Sequence, residues 1–222
     1  LMQAIKHISF DLDGTLVDSL PIMKIAWEAS MSALNLNCNF ADYRKYTGLP
    51  FPKILELLDL SEYEKDLSEI YFSHTKKLSH EVTAFDGVND VLTWAKEADI
   101  STSIITSKPR ENSEHLCESL KFQIDMLICG DDHQYGKPNP AIAQEVLEAF
   151  NLSPRDVLYI GDMAVDYQFS LNVGMSFIFF DAEGMNALPN NLINPVESIS
   201  CIKEVVTRLS DQIIISGNSQ KK

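Results

Sequence analysis

The stretch FDLDGTLVDS, residues 10–19, sets two carboxylates, Asp11 and Asp13, one residue apart, directly after an apolar run from Ile5 to Phe10. Like charges this close repel, and partial burial raises the cost further. An isolated DxD pair is ordinarily a solvated turn; a functional pair needs something positive to offset the repulsion. Other short polar stretches qualify for the same site. Thr106-Ser107-Lys108 follows the apolar run that ends at Ile105, Lys137 lies in GDDHQYGKPNP, and Asp162 and Asp166 lie in GDMAVD. Three or four carboxylates on one rim call for a cation, and oxygen donors without His or Cys select a hard ion, Mg2+ in preference to Zn2+. A hydroxyl and an ammonium, Thr106 and Lys137, suit the non-bridging oxygens of a phosphoryl group. Asp11 can then attack phosphorus, giving an aspartyl phosphate that water hydrolyses. Asp13 can protonate the leaving oxygen and afterwards deprotonate that water.

These residues act together only if the fold brings them to one edge. Ile5–Phe10, Thr102–Ile105, Met126–Cys129, Val157–Ile160 and Phe177–Phe180 are short, apolar and bounded by turn residues, which predicts buried strands. Helical patterns fall between them at Val88–Ala98, Glu111–Leu120, Pro140–Phe150 (capped by Asn139) and Val165–Asn172, with a further helix over Val196–Leu209. Strands alternating with helices imply an α/β fold, a Rossmann-like parallel sheet covered by helices on both faces. In such a sheet ligands bind at the carboxyl ends of the strands, where Asp11, Asp13, Thr106, Lys137, Asp162 and Asp166 would all fall.

Between the first strand and about Ser79 the pattern is helical. Pro21 opens a helix with Ile22, Ile25, Ala26, Ala29 and Ala33 on one face, TGLPFP at 47–52 breaks the segment, and Lys53–Leu58 and Ser61–Leu78 follow, Ser61 and Glu64 forming a capping-box pattern. The expected organisation is a core of residues 1–17 and 85–216, an all-helical insertion over 18–84, and a polar, disordered tail at 217–222.

Composition narrows the partners. Lys and Arg number 18 against 32 Asp and Glu, a formal charge of −14, which opposes nucleic acid and anionic membrane surfaces. A small phosphorylated ligand remains compatible if positive groups are concentrated locally. Cys38, Cys117, Cys129 and Cys201 are scattered, with no zinc or disulfide spacing, so a reduced, cytoplasmic protein is expected. The start LMQAIKHISFD has no signal-peptide core, and no run approaches a membrane span. Nothing in the pattern sets an oligomeric state.

DLDGT followed by LVDS, IITSKP, GKPNP and GDMAVD, in this order, resemble the four motifs of the haloacid dehalogenase superfamily, in its phosphoglycolate-phosphatase-like branch, and the likeness spans nearly the whole chain. The resemblance implies a helical cap at residues 18–84 and a Mg2+-dependent phosphatase. In that reading Asp11 is nucleophile and metal ligand, and Asp13 is acid and base with its backbone carbonyl on the metal. Asp162 is a further ligand, and Asp166 binds the metal or orients its waters. Thr106 and Lys137 hold the phosphoryl group, helped by backbone amides near Leu12, Asp13 and Ser107. Ser107 stands where relatives often carry Asn, and Asp86 where many have Pro. Lys108 and Arg110 are candidates for steering an anion inward, and Arg44, Lys45 and Lys53 flank a segment where such relatives select substrates. A phosphosugar mutase similar to β-phosphoglucomutase shares the motifs, although Thr15 matches the hydrolases. A receiver-like signalling module shares the acid, hydroxyl and lysine set, but such modules are shorter and have no helical insertion.

Overall fold

The computed structural model describes residues 4–182, 184, 188 and 196–210; the tail expected to be disordered, 217–222, lies outside them. Six parallel strands form one sheet: β1 His7–Phe10, β4 Ser101–Ile105, β5 Met126–Ile128, β6 Val157–Gly161, β7 Ser176–Phe180 and β8 Glu197–Ile199, in the order β5-β4-β1-β6-β7-β8. The register runs His7 opposite both Ser101 and Val157, and Phe10 opposite both Ile104 and Ile160. From β1 the chain winds through β4 to β5 on one side and through β6 and β7 to β8 on the other. The carboxyl end of β1 is therefore the point where the winding reverses and a crevice opens.

All residues of β1 and β6 are buried, as strands covered on both faces must be. On one face Ile8, Phe10, Ile104, Leu158 and Ile160 pack against α5 (Val88–Glu97), α6 (Arg110–Ser119) and the helical residues 204–210. On the other, Ile105, Val157 and Tyr159 pack against Val146 of α7 (Gln144–Ala149) and Phe169 of α8 (Ala164–Val173). This is the α/β arrangement the sequence predicts.

After β1, a two-stranded antiparallel ribbon, β2 Val17–Asp18 with β3 Thr83–Ala84, joins the entry and exit of the helical segment. Between its strands lie α1 Leu20–Ala33, α2 Phe40–Arg44, α3 Phe51–Leu57 and α4 Glu64–Lys77. These helices bury their own core around Trp27, which is stacked on Tyr43 at 4.2 Å and donates its indole N–H to the Cys38 carbonyl. Truncating Trp27 to Ala would cost about 3–5 kcal/mol.

Several local expectations are corrected. The buried face of α1 carries Ile22, Met23, Ala26, Trp27, Ser30 and Met31, while Ile25 is 46 % exposed, because alanines fit several stripes and the large side chains choose between them. Ser61 opens a 3-10 turn, Ser61–Tyr63, without a side-chain cap, and α4 begins only at Glu64. Asn139 does cap with its side chain on the Ala141 N–H, but a 3-10 turn, Pro140–Ala143, precedes α7. Residues 197–199 form β8 rather than the start of a helix. Among the described residues no helix is long and apolar enough to cross a membrane.

Candidate active site

Backbone pairing fixes the first carboxylate. The Asp11 N–H donates to the Ile160 carbonyl at 2.9 Å, continuing the β1–β6 ladder one residue past β1, so the side chain enters the crevice 3 % exposed. The chain must then turn at once. Gly14 does so at φ +83°, where a Cβ would lie 2.3 Å from Asp162 Oδ2, so only glycine lets the two segments meet. Thr15, next in sequence, donates to Asp162 Oδ1 at 2.9 Å and orients that carboxylate. Gly161 serves the neighbouring approach, since a Cβ there would lie 2.5 Å from the Asp166 side chain. The Met163 N–H, at the start of α8, donates to Asp166 Oδ2 at 3.0 Å.

Carboxylate oxygens of Asp11, Asp162 and Asp166 lie within 4.8 Å of one another, all three residues buried. Lys137 reaches into this cluster from the loop after β5, 1 % exposed, with its ammonium 2.8 Å from Asp11 Oδ1, 2.7 Å from Asp166 Oδ1 and 3.3 Å from the Tyr159 hydroxyl. Burial pushes the Asp11 carboxyl up, to about 7, with Lys137 opposing and Asp166 adding to the rise. Asp162 is raised well above the ordinary carboxyl value by burial and by Asp11 and Asp166, against the Thr15 hydrogen bond. For Lys137 burial works downward, but Asp11 and Asp166 overcome it and the ammonium is held charged. With one cation among three buried carboxyls, ionising all three leaves an excess of negative charge that a further cation would offset, and the all-oxygen donor set fits a hard divalent ion.

Asp13 lies outside that cluster. Its Oδ2 meets the Lys108 ammonium at 3.1 Å, and its Oδ1 is buried without a hydrogen-bond partner among the described residues. Thr106 is buried at the end of β4, its Oγ1 accepting the Lys108 N–H at 3.2 Å. Asp11, Asp13, Thr106, Ser107, Lys108 and Asp162 line one cavity of about 100 Å3, roofed by Met23, Tyr43, Phe51 and Tyr71 from the helical segment. Of the six predicted carboxylate, hydroxyl and ammonium residues, Asp11, Asp13, Thr106 and Asp162 line this cavity at the β1 carboxyl end, and Lys137 and Asp166 join them off the cavity wall through the Asp11 cluster. Ser107, the seventh, sits on the same rim, but its hydroxyl donates to the Gly48 carbonyl at 2.6 Å and ties the insertion to the sheet.

The steering candidates divide. Lys108 is held by Asp13, whereas Arg110 is absent from the cavity wall and is bound by Asp132 and Glu114. Arg44 lines the cavity, while Lys45 and Lys53 pair with Asp42 and Glu56 on exposed surface. Two contributors escaped sequence reasoning. Thr15 entered only as a match to the hydrolases, with no place in the site, and Tyr159 read only as strand interior, although alternation already places it on one face with Val157 and Gly161.

The family model described as haloacid dehalogenase-like hydrolase matches residues 8–180. The chain is 27 % identical to Pyrophosphatase PpaX of Oceanobacillus iheyensis, the match covering 94 % of this chain and 98 % of that protein. It is 25 % identical to a phosphoglycolate phosphatase of Pseudomonas savastanoi, over 90 % and 78 % of the two chains. Among solved structures, a hydrolase from Pseudomonas syringae superposes with a TM-score of 0.81 at 21 % identity, covering 93 % of this chain and 98 % of that one.

Proposed function

The chain belongs to the haloacid dehalogenase-like hydrolase family, and from that premise we propose that it is a Mg2+-dependent phosphatase acting on a small phosphorylated metabolite through an aspartyl phosphate on Asp11. Its phosphoric ester hydrolase character accords with relatives named as a pyrophosphatase and a phosphoglycolate phosphatase. The observation that carries the reading is the buried Asp11 carboxylate at the β1 end, paired with Lys137 and flanked by Asp162 and Asp166.

Asp11 attacks phosphorus as the bond to the leaving oxygen breaks, and Asp13 gives that oxygen its proton. Asp13 then takes a proton from water, which attacks the same phosphorus, releasing inorganic phosphate and restoring Asp11. The Asp13 Oδ1 suits this role, because no group among the described residues competes for it. Thr106 and the Ser107 backbone hold the non-bridging oxygens, and Lys137 offsets their charge. Asp11, Asp162 and Asp166, with the Asp13 carbonyl, would hold Mg2+, whose charge would further stabilise the phosphoryl oxygens.

Residues 18–84 serve as a cap that excludes bulk water and selects the substrate. The bonds from Ser107 to Gly48 and from Thr47 to the Met163 sulfur support contact between cap and core. The four unpaired cysteines fit a reducing cytoplasm. The test is release of phosphate from an aryl phosphate, expected with Mg2+ and lost with a chelator or in Asp11→Asn; full activity of that variant overturns the nucleophile assignment.

A further inference from the structure

An ammonium has three N–H donors and no acceptor. In Lys137 all three are engaged, by Asp11, Asp166 and the Tyr159 hydroxyl. A phosphoryl oxygen arriving at Asp11 can therefore receive an N–H from Lys137 only if one of these contacts opens. The two carboxylate bonds are short, at 2.8 and 2.7 Å, and link opposite charges. The bond to Tyr159, at 3.3 Å, is the longest and its acceptor is neutral. Tyr159 also loses little by letting go. Its own proton goes to the Ile105 carbonyl at 3.1 Å, with Asp166 Oδ1 at 3.4 Å as the alternative, so no donor is stranded. The ring is fixed independently, edge-on to Phe169 at 5.2 Å and stacked over Phe177 at 6.5 Å.

We propose that Tyr159 is a positioning residue: its hydroxyl holds the third N–H of Lys137 in the free enzyme and yields it to a phosphoryl oxygen when the ligand docks at Asp11. The proposal rests on the phosphatase reading given above. Tyr159 touches neither substrate nor reacting atoms; it acts through Lys137. It satisfies a buried donor that would otherwise have no partner in the free enzyme, and it does so with the weakest of the three acceptors.

The consequence is directional. Tyr159→Phe keeps the ring and removes the acceptor, so one Lys137 N–H is left unsatisfied in the free variant but satisfied in the phosphate complex. The Ile105 carbonyl loses its donor in both states and drops out of the comparison. Inorganic phosphate should thus bind the variant more tightly than the wild type, with a Kd lower by on the order of fivefold. Isothermal titration with inorganic phosphate in the presence of Mg2+ reads this, and a KM for aryl phosphate that falls together with kcat accompanies it, since product is held longer. Purely structural damage would leave phosphate affinity equal or weaker, and a tightening of about twofold or less overturns the proposal.

Should Tyr159→Phe not fold, Tyr159→4-aminophenylalanine carries the same test. Its amino group still donates to Ile105 but accepts poorly, so phosphate must again bind more tightly, and unchanged or weaker binding overturns the proposal. Wild-type protein that neither binds phosphate nor releases it from an ester defeats the phosphatase reading, and the role of Tyr159 falls with it. Wild type that does both, with no tightening in either variant, defeats the role of Tyr159 alone.

Discussion

His7 makes the sheet beneath the active site sensitive to acid. It lies fully buried in β1, four residues before Asp11, with Nδ1 2.7 Å from the Ser101 hydroxyl and Nε2 2.8 Å from that of Ser103. Burial holds the imidazole pKa down at about 4, only partly countered by Asp125. The unfolded chain titrates near 6.5, so as pH falls it takes up the proton first. Stability is therefore complete above about pH 6.5, declines through the window down to about 4, and is flat below it. The full separation between the two states corresponds to about 3 kcal/mol, of which about 2 kcal/mol is already lost at about pH 5. His7→Gln has no proton to bind in this window and keeps polar atoms for the two serines. Urea unfolding of both proteins at about pH 7.5 and about pH 5 cancels every other titrating group in the double difference. The wild type should lose about 2 kcal/mol more than the variant. A double difference below about 0.5 kcal/mol would refute the claim that the buried imidazole is neutral and that its burial opposes charge.

Further predictions concern the site. Mg2+ at about a hundred times its Kd should raise the melting temperature by roughly 5–10 °C, as the excess charge on Asp11, Asp162 and Asp166 is neutralised; an unmoved midpoint in scanning fluorimetry would count against a metal site there. Lys137→Met should cost about 3–5 kcal/mol in denaturant unfolding, because it leaves Asp11 and Asp166 without their shared cation. Gly14→Ala should destabilise the protein by at least about 1–3 kcal/mol and abolish turnover, since the added Cβ meets both a positive φ and the Asp162 carboxylate; wild-type activity would show that the turn adapts. Asp13→Asn should lower kcat by about 10^2–10^4-fold while leaving the Asp11–Lys137 pair intact, which steady-state kinetics and circular dichroism check together.

The parts of the site that were legible in the sequence are those where a polar residue interrupts an apolar run. Asp11 after Phe10, Thr106 after Ile105 and Asp162 after Gly161 each mark a strand end, and parallel pairing carries them to one edge. Lys137 was visible only through its motif, because eight residues separate it from Ile128 at the end of β5 and no period connects them. Its bonds to Tyr159 and Asp166 span 22 and 29 residues, distances that local pattern does not encode. The edge strand β8 was hidden for a related reason. Val196, Ile199, Ile202, Val205 and Leu209 recur at helical spacing, yet residues 197–199 pair with Ile178–Phe180 of β7, and that tertiary pairing overrides the local period. Ser107 shows the opposite case: its position on the rim was legible, but not that its hydroxyl would be taken by Gly48 of the inserted segment.

The central claim is that Asp11 is phosphorylated and Asp13 is needed to complete the cycle. The direct measurement is intact-mass and peptide-mapping analysis of Asp13→Asn, mixed with an aryl phosphate and Mg2+ and quenched in acid. The account predicts one added phosphoryl group, located on Asp11, together with a burst of aryl alcohol of at most one equivalent per enzyme ahead of the slow residual turnover. A phosphoryl group found on any other residue, or steady release of phosphate by Asp11→Asn at the wild-type rate, would contradict it.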